Sequence, residues 1–183
     1  MSIYLVRHGQ DEDNAANILN GRRDTPLTVL GVEQAKETAS FFAGKRIIRI
    51  YSSPLLRALQ TAEIIAKAVG IKDVLIENDL IERDYGVLTG KMRSQIPKYS
   101  TDNVEVDGVV YFLNAPKAET FSATYGRAEK FLSRIDNFLV GDVVIVAHRD
   151  ICIMLRAAHC NWGWEKGLAN ANMENAGVIK LGS

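Results

Sequence analysis

YLVRHGQ, from Tyr4 to Gln10, joins a short apolar run to two side chains that bind anions and move protons. Residues 3–6 are all apolar, and Arg7, His8 and Gly9 follow without a break. A run of this length predicts a buried β-strand at residues 2–7. In open α/β sheets, ligands bind beyond the carboxyl ends of the strands. The stretch therefore predicts a core strand and, at its end, the edge of a binding site.

The rest of the chain alternates between strand-like and helix-like patterns. Thr28 is a candidate N-cap for the first long helix, and Gly44 is its predicted stop. Further strands are predicted at residues 46–52, 73–77, 142–148 and 176–182, and helices at 28–43, 54–70, 119–139 and 150–160. This alternation is typical of a three-layer αβα sandwich, in which helices cover both faces of a mostly parallel sheet.

Residues 84–118 interrupt the alternation. They contain Pro97 and Pro116, and the sequence VDGVV at 106–110 is typical of a β-hairpin. A chain of 183 residues has the usual size of one domain. We therefore predict a single domain over residues 1–183, with an irregular insertion near 84–118 that caps the substrate.

Polar side chains follow the predicted strands at the edge where a ligand should bind. Arg7 and His8 end the first strand, Glu82 follows the third, and His148 ends the fourth. Arg57 falls on the first turn of the helix after the second strand. The planar fork of arginine matches phosphate, and backbone N–H groups of the helix after His148 would add donors. The pattern predicts a phosphate site that contains a nucleophilic histidine.

Composition excludes several classes of partner. The 22 basic residues balance the 22 acidic residues, so neither nucleic acid nor a membrane surface is an expected partner. The first apolar run is too short for a signal peptide, and we expect a cytoplasmic protein. Cys152 and Cys160 fall on one predicted helix, about 12 Å apart, which is too far for a disulfide. With three histidines and separated cysteines, no zinc site is expected.

Six sequence blocks occur in order along the chain. They are LVRHG (5–9), GRRDTPLTVLGVEQA (21–35), YSSPLLRALQTA (51–62), LIERDYGVLTGK (80–91), VIVAH (144–148) and MENAGVIKL (173–181). In order and spacing these blocks resemble the histidine phosphatase superfamily, also called phosphoglycerate mutase-like. The resemblance covers nearly the whole chain, and it implies a phosphoglycerate mutase-like fold.

The resemblance implies a role for each polar side chain at the strand ends. His8 matches the nucleophile that forms a phosphohistidine, Glu82 matches the general acid and base, and His148 completes the candidate catalytic residues. The side chains that match phosphoryl contacts are Arg7, Asn14, Arg57 and His148. Gly21 and Arg149 are candidate substrate-binding residues. The implied mechanism requires no metal, and we expect no cofactor.

Two of these assignments have alternatives within the sequence. The stretch IERD, residues 81–84, offers a second carboxylate, so Asp84 could act in place of Glu82. Asn17 and Asn20 lie near Asn14, and any of the three could simply build a turn.

Two positions depart from the family pattern. Gln10 stands where glutamate is common, and Arg149 stands where glycine usually follows the second histidine. A cation on the first turn of a helix opposes the helix dipole, at a cost of about 0.3–1 kcal/mol. Either Arg149 reaches the pocket mouth and binds a second anionic group of the substrate, or it points to solvent and pairs with Asp150.

Three functions are compatible with these residues. The favoured function is a phosphatase that acts on a small phosphorylated metabolite, the second is a cofactor-dependent phosphoglycerate mutase, and the third is a non-catalytic phosphate-binding module. The mutases of the family resemble one another in a longer segment before the second histidine, with two adjacent arginines. This chain has a shorter segment without such a pair, and its central part, TDNVEVDG at 101–108, is an acidic and therefore poor lining for a phosphorylated carboxylate.

Overall fold

Seven strands form a five-stranded sheet and a separate hairpin in the computed structural model, which describes residues 2–135 and 140–182. The strands are β1 (Ile3–Arg7), β2 (Ile47–Ser52), β3 (Leu75–Ile76), β4 (Asn103–Val106), β5 (Val109–Phe112), β6 (Asp142–Ala147) and β7 (Val178–Leu181). The order in the large sheet is β3-β2-β6-β1-β7. All neighbours in it are parallel except β7, which runs antiparallel to β1. The predicted mostly parallel sheet is confirmed.

Helices cover both faces of this sheet. They are α1 (Glu12–Ala15), α2 (Val29–Phe41), α3 (Leu56–Val69), α4 (Ile96–Tyr99), α5 (Phe121–Leu132), α6 (Arg149–His159) and α7 (Trp164–Ala169). Short 3-10 turns lie at Asn78–Leu80, Gly86–Leu88 and Arg93–Gln95. None of the helices in the described ranges is long and apolar enough to cross a membrane.

Alternate side chains of the central strands enter two different cores. Ile3 and Leu5 of β1 pack with α5, α6 and α7, whereas Tyr4 and Val6 pack with α2 and α3. The strand β6 divides in the same way, and all of its residues after Asp142 are buried. A strand covered on both faces has no polar face, which explains why YLV and VVIVA are continuous apolar runs.

The observed ends of the helices agree better with the sequence predictions than the observed strand at the sheet edge does. Thr28 caps α2 as predicted, because its Oγ1 accepts a hydrogen bond from the Gly31 N–H at 3.0 Å. Pro54, expected in the first turn of α3, instead precedes Leu55, the extended N-cap residue. The predicted strand 73–77 shrinks to two exposed residues at the edge of the sheet. The predicted helix 119–139 is α5, and residues 136–139 lie outside the described residues.

The insertion near 84–118 folds as its own small layer. The hairpin of β4 and β5 turns at Asp107 and Gly108, both with positive φ, as a tight two-residue hairpin turn requires. A third apolar cluster fixes this layer to the rest of the chain, and it includes Leu19, Tyr85, Leu88 and Phe112. The hairpin therefore sits beside the carboxyl edge of the large sheet.

The loop after β1 locks against the start of α2. A Cβ atom on Gly9 would collide with the backbone carbonyl of Gly31, and a Cβ on Gly31 would collide with the carbonyl of Gln10. The two glycines thus allow two backbone segments to touch directly. This contact fixes the position of the residue between β1 and the loop, which is His8.

Candidate active site

Two adjoining chambers lie between the carboxyl edge of the sheet and the β4–β5 hairpin. The inner chamber measures about 20 Å³, room for about one water molecule, and His8 and Glu82 are in its wall. The outer chamber measures about 290 Å³. The residues common to both walls are Arg7, Asn14, Arg93, Val109, Val110 and Arg149. The predicted site residues Arg7, His8, Asn14, Glu82 and Arg149 therefore lie in one continuous cavity.

His8 is held in one tautomer by its two neighbours. Its Nδ1 lies 2.6 Å from the Gly9 carbonyl oxygen, which can only accept, so Nδ1 carries the proton. The Arg57 Nε–H donates to His8 Nε2 at 3.3 Å. Burial, followed by the charges of Arg57 and Arg7, lowers the pKa of His8 well below 6.5. The imidazole is therefore neutral at physiological pH, with its lone pair on Nε2.

Arg57 lies behind His8, with none of its surface exposed. Its two terminal nitrogens donate to the backbone carbonyls of Arg23 at 2.6 Å and of Gly21 at 2.8 Å. Its Nε also lies 3.1 Å from Asp11 Oδ2, so that one N–H faces both a carboxylate and the histidine. Burial lowers the pKa of Arg57 and raises that of Asp11, because desolvation outweighs their attraction. Gly21 thus holds Arg57 in place from outside the chamber walls.

His148 stands next to His8 at the end of β6. The ring centroids are 5.0 Å apart, and His148 Nε2 lies 2.7 Å from the Ser53 hydroxyl. Its Nδ1 is buried and has no hydrogen-bond partner among the described residues. Burial and then the charge of Arg57 lower the pKa of His148 well below 6.5. This nitrogen is unpaired, but the predicted site residues His148 and Arg57 are both buried and are in the wall of neither chamber.

Glu82 is a buried carboxyl group that caps α6. Its Oε1 accepts hydrogen bonds from the backbone N–H groups of Arg83 at 2.8 Å and Ile151 at 3.3 Å. Its Oε2 accepts one from the backbone N–H of Asp150 at 3.3 Å. The sequence predicted that N–H groups of this helix would face phosphate, but two of them face Glu82. Burial and then the charge of Asp150 raise the pKa of Glu82 to about 7. A carboxyl group with this pKa can give and take a proton near neutral pH.

Asp84, the alternative carboxylate, lies outside the chamber walls. It is about 41% exposed, and its oxygens face Arg22 at 3.7 Å and the Gly86 N–H at 2.8 Å. The geometry therefore favours Glu82 over Asp84 as the carboxyl group of the cavity.

The three candidate asparagines occupy different places. Asn14 lines both chambers, and its Oδ1 accepts a hydrogen bond from Asn175 at 2.7 Å. Asn20 lines only the inner chamber, where its amide donates to Asp11 at 2.5 Å. Asn17 lines the outer chamber, and its backbone φ is positive. Asn14 and Asn175 thus form a polar pair at the junction of the chambers.

Arg149 does not pair with Asp150, so that alternative is wrong. Asp150 instead binds Arg83, whose Nε lies 2.8 Å away. The Arg149 Nε–H donates to the Met173 carbonyl at 3.3 Å, and the same carbonyl accepts from Arg7 at 3.0 Å. Burial and then the charge of Arg149 lower the pKa of Arg7 to about 9, which still leaves its guanidinium charged at neutral pH.

The acidic part of the insertion faces away from the cavity, contrary to expectation. Asp102, Glu105 and Asp107 are exposed, and of residues 101–108 only Gly108 contributes to a chamber wall. The reason is that β5 borders the chambers, with all four of its residues in the wall of the inner one, whereas β4 lies on the far side of β5. The argument against a phosphorylated carboxylate is therefore removed.

Several residues of the site were not found from the sequence. Asp11 and Asp150 each look like an ordinary helix-end acid, and Arg93 lies in an irregular segment. Arg83 lies within 4.0–5.1 Å of three aromatic rings, those of Tyr85, Phe112 and Phe121. In the stretch IERDY, Arg83 stands between two acidic residues, and this pattern does not indicate that the arginine is buried.

Metal-binding side chains do not gather at this site. In the described part of the chain, no three histidine, cysteine or acidic residues are grouped as metal ligands. Cys152 is buried within α6, and Cys160 is exposed at its end. The positive charge at the cavity comes from arginines.

The fold is the phosphoglycerate mutase-like α/β fold, and residues 3–183 match the model of the histidine phosphatase superfamily, branch 1. The chain belongs to the histidine phosphatase superfamily.

Relatives with similar sequences carry names of two kinds. A putative phosphoserine phosphatase 2 of Hydrogenobacter thermophilus is 31% identical, over 98% of this chain and 88% of its own. A 2,3-bisphosphoglycerate-dependent phosphoglycerate mutase of Parvibaculum lavamentivorans is 32% identical, over 79% of this chain and 72% of its own. A probable phosphoglycerate mutase GpmB of Proteus mirabilis is 47% identical, but this match spans 48% of the chain and 40% of that protein.

Solved structures agree with the fold. The mycobacterial glucosyl-3-phosphoglycerate phosphatase with VO3 has a TM-score of 0.84 at 24% identity and covers 98% of this chain and 91% of its own. Phosphoserine phosphatase of Entamoeba histolytica with 3-phosphoglyceric acid has a TM-score of 0.77 at 24% identity, covering 98% and 89%. At these identities, the similarity shows the fold alone.

Proposed function

We propose that the protein is a phosphatase that hydrolyses a small phosphorylated metabolite through a phosphohistidine on His8. The observation that carries the proposal is the fixed tautomer of His8. Its Nδ1–H is bound to the Gly9 carbonyl, so the lone pair is on Nε2, and it can attack phosphorus once the Arg57 N–H that Nε2 accepts moves away. The phosphatase and mutase names of the relatives support phosphoryl chemistry of this kind.

The first chemical step transfers the phosphoryl group to His8. Nε2 attacks phosphorus while the bond to the ester oxygen breaks, and Glu82 gives its proton to that oxygen. The Arg57 N–H that faces Nε2 passes to a phosphoryl oxygen as the N–P bond forms. Arg7 and Asn14, which line both chambers, bind the remaining phosphoryl oxygens, and His148, which lies beside His8 but is in neither wall, contributes its unpaired Nδ1.

The second step returns both groups to their starting state. The Glu82 carboxylate takes a proton from water, and the water oxygen attacks phosphorus as the N–P bond breaks. Inorganic phosphate leaves, His8 is again neutral, and Glu82 is again protonated. The arginines supply the positive charge that stabilises the transition state, so we propose that no metal is required.

A mutase is the second candidate function. In that reaction a second phosphoglycerate, instead of water, would take the phosphoryl group from His8. The favouring observation is that Arg93 and Arg149 line the same cavity although they are not adjacent in sequence. Together with the relatives that bear mutase names, this keeps the alternative open to experiment.

Phosphate release and isomerisation separate the two functions. We expect the protein to release inorganic phosphate from an aryl phosphate and from members of a panel of phosphorylated metabolites, and to do so after complete chelation of divalent metals. With 3-phosphoglycerate and a 2,3-bisphosphoglycerate primer, we expect phosphate to form faster than 2-phosphoglycerate. Fast isomerisation with little phosphate would establish the mutase, and activity that returns only with added metal would contradict the proposed charge stabilisation.

The activity should fall as the pH rises through about 7. Glu82 must be protonated to act as the acid, and its pKa is raised to about 7. His8 must be neutral, and its lowered pKa leaves it neutral well below pH 6.5. We expect kcat/KM to be high on the acidic side of 7 and to decline above it.

Titration of the substrate also affects such a profile, so Glu82→Gln is the control. Both proteins act on the same substrate. The ratio of the parent kcat/KM to the variant kcat/KM is therefore independent of the titration of the substrate. This ratio should decline through about pH 7. A ratio that is constant, or that increases across this range, would remove Glu82 as the acid.

A further inference from the structure

The inner chamber must meet two requirements that oppose each other. The phosphoryl group needs positive charge around it, and the proposed acid, Glu82, needs a proton at neutral pH to protonate the ester oxygen. Positive charge near a carboxyl group favours its ionised form. Burial of Glu82 disfavours ionisation, but a wall rich in arginines works against this effect. A fixed negative charge beside Glu82 would restore the balance.

Most of the charged groups around Glu82 are arginines. Four of them line the inner chamber, and the charge of a fifth acts from α3; they are Arg7, Arg83, Arg93, Arg149 and Arg57. The other titratable groups around Glu82 are uncharged at neutral pH, because burial lowers the pKa of the histidine and raises the pKa of the tyrosines and the cysteine. They are His8, Tyr85, Tyr111 and Cys152. Asp150, in the first turn of α6, is the only other acid among the described residues of the inner wall.

Backbone and side-chain contacts hold Asp150 beside Glu82. Its backbone N–H donates to Glu82 Oε2 at 3.3 Å, and its Oδ2 accepts from Arg83 Nε at 2.8 Å. The backbone N–H of Arg83 donates to the other Glu82 oxygen at 2.8 Å, so that the three residues contact one another in a closed set. The Arg83 guanidinium also packs on the rings of Phe112 and Phe121, at 4.2 and 4.0 Å. Because all three residues of the set are buried, the carboxylate of Asp150 is held close to that of Glu82.

We propose that Asp150 is a positioning residue whose negative charge keeps Glu82 protonated among the arginines of the phosphate site. The proposal rests on the proposed function, because Glu82 is the acid of that reaction. After burial, the charge of Asp150 is the largest cause of the raised pKa of Glu82. Asp150 transfers no proton itself. When Glu82 has given its proton to the ester oxygen, two carboxylates lie side by side, and their repulsion makes Glu82 a stronger base toward water in the second step.

The variant Asp150→Asn should move the decline of kcat/KM to lower pH by about one unit, because Glu82 then ionises more easily. At pH 7 the protonated fraction of Glu82 should fall from about one half to about one tenth. The substrate is an alkyl phosphate, whose leaving oxygen needs the proton. The ratio of the parent kcat/KM to the variant kcat/KM should increase from about one near pH 5 to about ten near pH 9. The fold should survive, because the asparagine oxygen can still accept from Arg83 and the backbone N–H is unchanged.

Three further variants separate the charge of Asp150 from its packing. Asp150→Ser removes the charge with a smaller side chain and should give the same pH-dependent ratio. Asp150→Glu keeps the charge, so its ratio should be constant with pH even if the longer side chain slows turnover. Asp84→Asn removes an exposed acid two residues from Glu82, and its ratio should be about one at every pH. A ratio for Asp150→Asn that does not change with pH would overturn the proposal.

Carboxyl ¹³C NMR measures the titration of Glu82 without substrate, and so separates this proposal from the proposed function. The resonance of Glu82 is the one that Glu82→Gln lacks. It should titrate at a pKa of about 7 in the parent and about one unit lower in Asp150→Asn. If the parent hydrolyses no phosphate ester but the titration moves in this way, the phosphatase function fails and the role of Asp150 stands. If hydrolysis is normal but Glu82 titrates near 4.5 in the parent, or equally in both proteins, only the role of Asp150 fails.

Discussion

Replacing His8 with alanine should lower kcat by about 10⁴-fold or more, because the nucleophile of the proposed reaction is then absent. The fold should survive the change. His8 is buried, but Arg57 keeps its bonds to Asp11, Gly21 and Arg23, so no charged group loses its last partner. The measurements are turnover of an aryl phosphate and the mass of the protein quenched during turnover, which should show one added phosphoryl group in the parent and none in the variant.

His159→Ala is the matched control for this prediction. His159 is half-buried at the end of α6, where its Nε2 lies 2.6 Å from the Gly182 carbonyl, and it is in the wall of neither chamber. This variant should turn over at the parent rate. Turnover by His8→Ala near the parent rate would refute a phosphohistidine on His8. A parent that binds phosphate esters without turnover or phosphorylation would instead support the non-catalytic phosphate-binding module.

Replacing Glu82 with glutamine should lower kcat for alkyl phosphates by about 10²–10⁴-fold, the range for loss of a general acid and base. An alkyl oxygen is a poor leaving group and requires the proton. The nitrophenolate of an activated aryl phosphate leaves without one, so its release should be much less affected. Water attack still requires the base, and we therefore expect an initial burst of nitrophenol, equal to the enzyme present, followed by slow turnover.

Asp84→Asn provides the control, because Asp84 is the other carboxylate of the IERD stretch and lies outside the chambers. It should show no burst and should keep the parent rate. A burst in Asp84→Asn, with normal kinetics in Glu82→Gln, would exchange the two assignments. Thermal unfolding of Glu82→Gln should be measured beside its kinetics. The glutamine amide would point an N–H group at an N–H group of α6, which should lower the free energy of unfolding by about 1–3 kcal/mol.

The sheet and its helices could be predicted because their signals are local. The run before Arg7 and the run before His148 are apolar on both faces of the strand, and Thr28 has the chemistry of a helix cap. The strand 73–77 was overestimated because its pairing depends on the rest of the sheet. At the edge it forms only two paired positions, and its apolar side chains remain exposed.

The buried ion pairs at the cavity could not be predicted, because they join residues that are distant in sequence. Asp11 binds Arg57, and Asp150 binds Arg83, and neither pair has a local pattern. The backbone carbonyl of Met173, which holds Arg7 and Arg149, has no signature in the sequence at all. Side chains to which the family resemblance gives a role could be found, whereas those fixed only by tertiary contacts could not.

The contact between Gly9 and Gly31 has a consequence for protein engineering. The atoms that would collide with a new Cβ at either position belong to the backbone, so a smaller neighbouring side chain would not relieve the collision. The two positions must therefore be glycine together, although only Gly9 lies next to a reacting group. Consider a chimera that takes residues 1–20 from one relative and α2 from another. Its nucleophile is correctly placed only if both donors have glycine at these two positions.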